Sequence, residues 1–452
     1  MKLYNTLTRR LEDFVVKDGK VNMYVCGITP YAPSHLGHAM CAVVFDIVRR
    51  YLEFKGFQVT HVQNFTDIDD KMIAAANEKG IKVSELAEIN IHNYLIELNA
   101  LNVLPATNFP RATEEIQGIT EIIDGLIHKG YAYEVNGDVY FRVRSDVDYG
   151  KLSNRNIEEL LAGARLEIGD EKEYPGDFAL WKAHKDGEPG WDSPWGMGRP
   201  GWHIECSAMS LAYLQEGIDI HGGGLDLVFP HHENEIAQSE SYTGMVPFAR
   251  FWLHNGTLQY GDDKMSKSIG NVFSISEALE SYSPDSLRMF FLSSHYRSPL
   301  VFSGEAVLSQ NRALERLRHA LESRSGNGPV MEPNSYKVKF VEAMDQDLNT
   351  PRALSVLFDL ARDINRQSSS GFDVKRAQET LVNLSAVLGI SLAQPDPDKV
   401  LDTQPFVDMI VDIRTKLRNL GQYELADSIR DRLLELEVAL EDSQEGTDWK
   451  FL

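Results

Sequence analysis

Val21-Asn22-Met23-Tyr24-Val25-Cys26-Gly27 opens the stretch, residues 21–65, from which the fold is read. Its apolar and β-branched residues describe a strand, which Gly27 and Pro30 stop. Between Met40 and Lys55, the residues Met40, Val43, Val44, Ile47, Val48, Tyr51 and Leu52 recur at helical spacing, and Gly56 closes the run. Phe57 to Phe65 reads as a second strand. Strand, helix, strand predicts a βαβ unit, hence an α/β fold with a Rossmann-like parallel sheet and its ligand at the strands' C-terminal ends. His35-Leu36-Gly37-His38 falls where the first strand gives way to the helix. Backbone N–H groups and the helix dipole favour anions there.

Working outward, residues 115–195 change character. A helical stretch from Glu114 to Lys129 precedes an alternating, hairpin-like run from Tyr131 to Arg144 and a Gly/Pro/Trp-rich loop from Gly187 to Gly201. This reads as an insertion that splits the nucleotide fold. The sheet resumes with Ile218-Asp219-Ile220-His221 and Phe251-Trp252-Leu253-His254. From Gly304 the chain reads as all-helical, broken at Ser323–Ser335 and at the Pro-rich Gln394–Pro405, which sets off a small C-terminal domain.

The 452 residues suggest about three domains. A composition of 43% hydrophobic and 25% charged residues is that of a globular chain with ample core. No apolar run approaches the roughly 18 residues that span a membrane, and the first residues carry no signal-peptide core. Cys26, Cys41 and Cys206 are too few for a disulfide framework, so a reducing cytoplasm is the expected setting. The net charge of −22 argues against indiscriminate nucleic-acid binding, though not against docking on local basic patches.

No G-x-x-x-x-G-K-[ST] loop is present. Gly196-Met197-Gly198-Arg199-Pro200-Gly201 has the G-x-G-x-x-G form, but Pro200 and the loop context fit a dinucleotide turn badly. Lys264-Met265-Ser266-Lys267-Ser268 lies in a polar, glycine-flanked segment. Two lysines so placed can close over a triphosphate and stabilise charge that builds at the α-phosphorus. Alone, this is as readily a solvated lysine loop, and each histidine alone is as readily structural. Taken in order after a βαβ start, His35, Gly37 and His38 with the pentad describe an ATP site built from two remote segments.

A second constellation is Cys26 at the end of the first strand, Cys206, and His231 with Glu235 four residues on, which shares one face of a helix beginning near Pro230. Two thiolates, an imidazole and a carboxylate suit tetrahedral zinc. Their wide separation leaves open that Cys26 and Cys206 are inert buried thiols, the reading given to Cys41.

With these residues in place, the chain resembles the class I aminoacyl-tRNA synthetases, and among them the bacterial-type cysteinyl-tRNA synthetases, over nearly its full length. The stretches that carry the resemblance include Met23–Gly27, His35–His38, Thr66-Asp67-Ile68-Asp69-Asp70-Lys71, Asp177–Lys182, Gly198–Cys206, His221–Asp226, Pro230–Glu235, Lys264–Ser268 and His295–Pro299. The resemblance implies a nucleotide-binding fold in two halves (1–114 and 196–250) around a connective insertion (115–195). It then implies a stem-contact segment (251–303), a helical bundle (304–393) and an anticodon-binding end (401–452). It implies that Cys26, Cys206, His231 and Glu235 hold one Zn²⁺, that Thr66, Trp202 and Asp226 line or anchor a cysteine pocket, and that His35, His38, Lys264 and Lys267 stabilise the reacting phosphates. The implied substrates are L-cysteine, ATP with Mg²⁺, and tRNA(Cys), on a cytoplasmic monomer with no membrane partner.

The family usually carries Ile where Leu36 stands, and Val and Asp beside Tyr31. Thr29-Pro30-Tyr31 is similar instead to the ligases that join cysteine to a glucosaminyl-inositol in mycothiol synthesis, which gives an alternative substrate. Glu235, and the tail from Ala426 through Trp449, favour the tRNA reading. A non-catalytic tRNA-binding relative is opposed by the intact histidine and lysine sets. From Leu401 on, 6 Lys/Arg face 12 Asp/Glu, so any RNA recognition there rests on shape and base contacts more than on charge.

Overall fold

The βαβ unit forms the centre of the structure. The computed structural model describes residues 1–16, 18–156, 172–260, 263–264, 273–392, 404–436, 438–442 and 447–451. A hairpin of β1 (Lys2–Asn5) and β2 (Arg10–Asp13) opens the chain, followed by β3 (Lys20–Ile28), α1 (Leu36–Phe54) and β4 (Gln58–Phe65). Next come α2 (Asp70–Lys79), α3 (Val83–Ala100), α4 (Ile116–His128), β5 (Ala132–Val135), β6 (Asp138–Phe141), β7 (Phe178–Ala183) and β8 (Gly198–Pro200). Then α5 (Trp202–Tyr213), β9 (Ile218–Gly224), α6 (Glu233–Thr243) and β10 (Ala249–Asn255) return to the centre.

The central sheet has the order β10-β9-β3-β4, every pair parallel. The crossover through α1 leads to one side of β3 while β9 and β10 lie on the other. The C-terminal ends of β3 and β9 therefore form a switch point, where open α/β sheets bind ligands. The insertion is a separate antiparallel sheet, β5-β6-β7-β8, with a core of Ile119, Ile123, Phe141 and Trp181 shared with Ile204 and Ala208 of α5. Its last strand lies past residue 195, because Gly198–Pro200 pairs with Trp181–Ala183. The glycine-rich run 196–201 thus ends as a sheet edge and the cap of α5, with no phosphate-binding turn.

Beyond the sheet, β11 (Leu258–Tyr260) pairs antiparallel with β12 (Asp263–Lys264) and parallel with β13 (Leu300–Phe302). Two short helices, α7 (Ile275–Ser281) and α8 (Pro284–Leu292), lie between β12 and β13 in the chain. The helical region is α9 (Gly304–Glu322), α10 (Asn334–Met344), α11 (Thr350–Ser369) and α12 (Lys375–Val387). Serines or an asparagine start four of these: Ser274, Ser283, Ser303 and Asn349 each accept a backbone N–H of the first turn. One continuous core runs from Val21, Met23 and Val25 of β3 through α1 to Leu314, Phe340, Leu357 and Leu381. No described helix is long and apolar enough to cross a membrane.

The chain divides into two compact units, Met1–Leu392 and Ala393–Leu452. The second comprises α13 (Gln404–Asn419), α14 (Tyr423–Glu435) and the hairpin β14 (Val438–Asp442) with β15 (Thr447–Phe451). Val407, Val411, Leu433 and Val438 form its core. Trp449 packs on that core and donates its indole N–H to Asp408 at 2.7 Å.

Candidate active site and metal centre

Cys26 owes its direction to a break in the sheet. Val25 pairs with Gln63 and Ile28 with Phe65, so Cys26 and Gly27 together oppose the single residue Asn64. A bulge of this kind re-aims a side chain at the end of a strand. The Asn64 side-chain oxygen accepts the Gly27 N–H at 2.9 Å, supplying what the interrupted ladder lacks. A Cβ on Gly27 would lie 1.7 Å from the Asn64 carbonyl oxygen, so only glycine fits this approach.

Cys26, re-aimed, meets a buried cluster. Its Sγ lies 3.9 Å from Cys206 Sγ, 3.4 Å from Glu235 Oε1, 3.2 Å from His232 Nε2 and 3.7 Å from His221 Nε2. His231 Nε2 stands 3.0 Å from Glu235 Oε1. Helix α6 starts at Glu233, later than the sequence suggests; His231 belongs to the turn Val228–His232, in which Phe229 is extended. Its side chain meets Glu235 all the same. The ring of His231 is oriented by His203, whose Nδ1 is 2.9 Å from its own, and is covered by the Trp202 indole, stacked at 4.3 Å.

Cys26, His231, His232 and Glu235 offer ligand atoms all within 4.8 Å of one another. Cys206 adds a second thiol beside Cys26. Histidine 232 is the member that sequence reasoning passes over. Its signal was the adjacent pair His231-His232, of which only the first stands four residues from Glu235. Its other nitrogen, Nδ1, is 2.8 Å from His254 Nε2, and His254 Nδ1 is 2.8 Å from the Thr6 hydroxyl.

Burial dominates the electrostatics of this cluster. Burial pushes the Cys26 thiol and the Glu235 carboxyl well above their ordinary values. Cys206 is held below the usual thiol range by the hydrogen bond from Cys26. Burial holds His203, His221 and His232 far below the usual imidazole range, so they are neutral, as metal ligands must be. Two thiolates bound to tetrahedral zinc at about 2.3 Å would stand about 3.8 Å apart, close to the observed separation of 3.9 Å. Donor chemistry and spacing both fit zinc.

Beside the cluster, a cavity of about 210 Å³ opens at the switch point, lined by Cys26, Gly27, His35, Gly37, His38, Cys41, Gln63, Tyr94, Asp226, Asn255 and Leu258 among others. His35 and His38 cap α1 reciprocally: His35 Nδ1 accepts the Gly37 N–H at 3.1 Å and His38 Nδ1 accepts the His35 N–H at 3.3 Å. Their rings stack 3.7 Å apart. With both Nδ1 atoms accepting, each neutral ring carries its proton on Nε2, a donor suited to phosphate oxygens. Cys41, one turn on, lines the same cavity, and burial pushes its thiol up to about 12. It is a wall, not a nucleophile.

Asp226 is exposed and faces the cavity, whereas Thr66 is buried and Trp202 lies over His231. The Lys264 backbone is fixed by the pairing of β12 with β11. Met265, Ser266, Lys267 and Ser268 lie outside the described residues. The segment that follows them is stitched to the histidine run: Leu36 N–H donates to Phe273 O at 3.1 Å and Ile275 N–H to Ser34 O at 3.0 Å.

This geometry has close relatives among known proteins. Residues 13–312 match the class I (C) tRNA synthetase catalytic domain, and 339–393 match the DALR domain. The cysteine–tRNA ligase of Dehalococcoides mccartyi is 55% identical over 100% of this chain and 99% of its own. That of Carboxydothermus hydrogenoformans is 49% identical over 100% of both.

The chain belongs to the cysteine–tRNA ligase family.

The match to these cysteine–tRNA ligases runs through the C-terminal unit, which does not favour the amino-sugar alternative. Among solved structures, a Mycobacterium tuberculosis methionyl-tRNA synthetase in complex with methionyl-adenylate superposes with a TM-score of 0.61 at 17% identity, over 87% of this chain and 94% of that one. A putative arginyl-tRNA synthetase from Campylobacter jejuni gives 0.52 at 12% identity, over 82% and 93%. At such identities the likeness is one of fold, and it extends from the cysteine–tRNA ligases to the wider class I architecture.

Proposed function

We propose that this protein is a cysteine–tRNA ligase that activates L-cysteine with ATP and esterifies tRNA(Cys). The observation that carries the reading is the thiol pair Cys26–Cys206 with His231 and Glu235, set at the edge of the cavity that His35 and His38 line. A cysteine carboxylate in that cavity attacks the α-phosphorus of ATP, and pyrophosphate leaves. The ribose hydroxyl of the tRNA's terminal adenosine then takes the cysteinyl group from the adenylate. The Nε2–H groups of His35 and His38, with Lys264 and Lys267 from the pentad, stabilise the charge that builds on the phosphates. No side chain needs to act as nucleophile; positioning carries the rest of the rate.

Cys26, Cys206, His231 and Glu235 would hold zinc, with His232, which is oriented by His254, beside them. A soft, bound Zn²⁺ supplies a thiolate-selective contact that a hydroxyl or a methyl group does not satisfy. Such a contact matters because an apolar pocket alone rejects near-isosteres of cysteine weakly. Trp202 and Thr66 complete the pocket, and Asp226 anchors the substrate from the cavity's rim. Mg²⁺ accompanies ATP. The 251–303 segment contacts the tRNA stem and the 401–452 unit the anticodon, on a cytoplasmic monomer.

Cysteine-dependent pyrophosphate exchange, followed by transfer to tRNA or to a glucosaminyl-inositol, tests this reading. Exchange with tRNA charging, and about one zinc per chain by metal analysis, is the expected result. Exchange with sugar transfer and no charging would overturn the choice of acceptor, and absence of exchange would overturn the catalytic reading altogether.

A further inference from the structure

Away from the cavity, α1 carries a second cluster of buried charge. Asp46 and Arg288 are both fully buried and joined by an ion pair between α1 and α8. Every arm of the guanidinium is engaged: Nε donates to Leu388 O at 2.8 Å, one terminal nitrogen to Leu101 O at 2.9 Å and Asn102 O at 3.2 Å, and the other to Asp46 Oδ2. The carboxylate of Asp46 also accepts the Arg50 Nε–H at 2.8 Å and the Leu104 N–H at 2.9 Å. Asn102 ties the same point to Gly389 O at 2.7 Å. Gly389 itself has φ +64, and a Cβ there would lie 2.2 Å from the guanidinium.

The place of this cluster gives it a role. Near the cavity, the residues that start α1 are hydrogen-bonded to Phe273–Ile275, which follow the lysine pentad and lead into α7 and α8. From His35 to Asp46 the helix runs about 16 Å at 1.5 Å per residue. The α1 helix and the α7–α8 segment are therefore joined at two points, one at the cavity edge and one three turns away. A single point fixes where a helix begins; two fix the direction of its axis. We infer that Asp46 and Arg288 are positioning residues for adenylation, holding the His35–His38 end of α1 in register with the segment that follows the lysine pentad. The inference rests on the adenylation reading given above.

The test compares Asp46→Asn and Arg288→Lys with Arg318→Gln in cysteine-dependent pyrophosphate exchange without tRNA, each with its thermal midpoint. Arg318 pairs with Asp285 at the start of α8 and serves as a destabilising control with no contact to α1 among the described bonds. Asp46→Asn keeps the side-chain shape and an acceptor for Leu104, so it is the variant to read if Arg288→Lys does not accumulate. The expected result is a rise of about 10–100-fold in KM for ATP or fall in kcat for the first two, since misplacement of about 1 Å costs on that order. Their KM for cysteine stays within about twofold, and Arg318→Gln loses midpoint with both kinetic constants unchanged. A loss of midpoint in all three variants with unaltered ATP kinetics would overturn the inference. So would a defect confined to tRNA charging. Absence of exchange in the wild-type protein would instead strike at the adenylation reading itself.

Discussion

Two clusters of buried charge in this chain differ in how completely they are satisfied. Around Asp46 and Arg288, each polar arm has a named partner, and the backbone carbonyls of Leu388, Leu101 and Asn102 accept from the guanidinium. Around Cys26, the Nδ1 atom of His221 is buried without a hydrogen-bond partner. Burial pushes the Tyr24, Cys26, Glu205 and Glu235 groups all in the direction that resists ionisation. Leaving such a group unpaired costs about 1–3 kcal/mol. A closed cluster holds structure; an open one awaits chemistry.

The largest expected effect strikes the open cluster. Cys206→Ser or Cys26→Ser should bring zinc content from about one per chain to near zero and lower kcat/KM for cysteine by more than about 100-fold, since even outer-shell partners of metal ligands are worth 10–100-fold. Metal analysis and pyrophosphate exchange measure both, and retained zinc with unchanged selectivity against serine would show that the ligand set is wrong. The same cluster should respond oppositely in stability. With metal stripped by a chelator, Glu235→Gln should leave the unfolding midpoint unchanged or raised, because it removes a buried carboxyl that resists ionisation.

Arg288→Met, in the closed cluster, should cost about 3–5 kcal/mol in denaturant unfolding, because Asp46 and several carbonyls lose their partner. A loss below about 1 kcal/mol would mean that water replaces the guanidinium and the cluster is less closed than its bonds imply. Gly389→Ala comes next, with a loss of about 1–3 kcal/mol from the added Cβ and the left-handed backbone.

Glu97 gives the smallest and most conditional effect. Its Oε2 is buried without a partner, and burial pushes its carboxyl up to about 7. The folded state therefore binds a proton between about pH 4.5 and 7 that the unfolded state releases, and the stability this contributes is lost as pH rises through 7. Glu97→Gln should raise the thermal midpoint at pH 8 by a few degrees at most and change it little at pH 4, a difference read by calorimetry at the two values.

How much of this was legible beforehand follows from the range of each interaction. The βαβ centre was visible because α1 and its flanking strands obey local periodicities, and the observed boundaries fall within a few residues of Gly27, Gly56 and Phe65. The break at Ser323–Ser335 was visible because composition changes there, whereas nearly all of the Gln394–Pro405 break lies outside the described residues. The bulge at Cys26-Gly27 was not, since it depends on Asn64 in another strand. Nor was His232, whose partners Cys26 and His254 are brought to it by the ends of two different strands, β3 and β10. Asp46 and Arg288 were invisible for the same reason: a lone acid in an apolar helix and an arginine 242 positions away carry no shared local pattern.

The order β10-β9-β3-β4 also dictates a timetable. When β3 and β4 have left the ribosome, the other edge of β3 has no partner until Ile218 is made, roughly 8–30 s later at about 5–20 residues per second. During that interval Met23, Tyr24 and Val25, which will pair with Ile220, His221 and Gly222, offer an open apolar edge of the kind that aggregates. The insertion, whose core is shared with α5, is made while the first half of the sheet waits. Nascent chains stalled between residues 100 and 200 are thus the forms of this protein most in need of a chaperone.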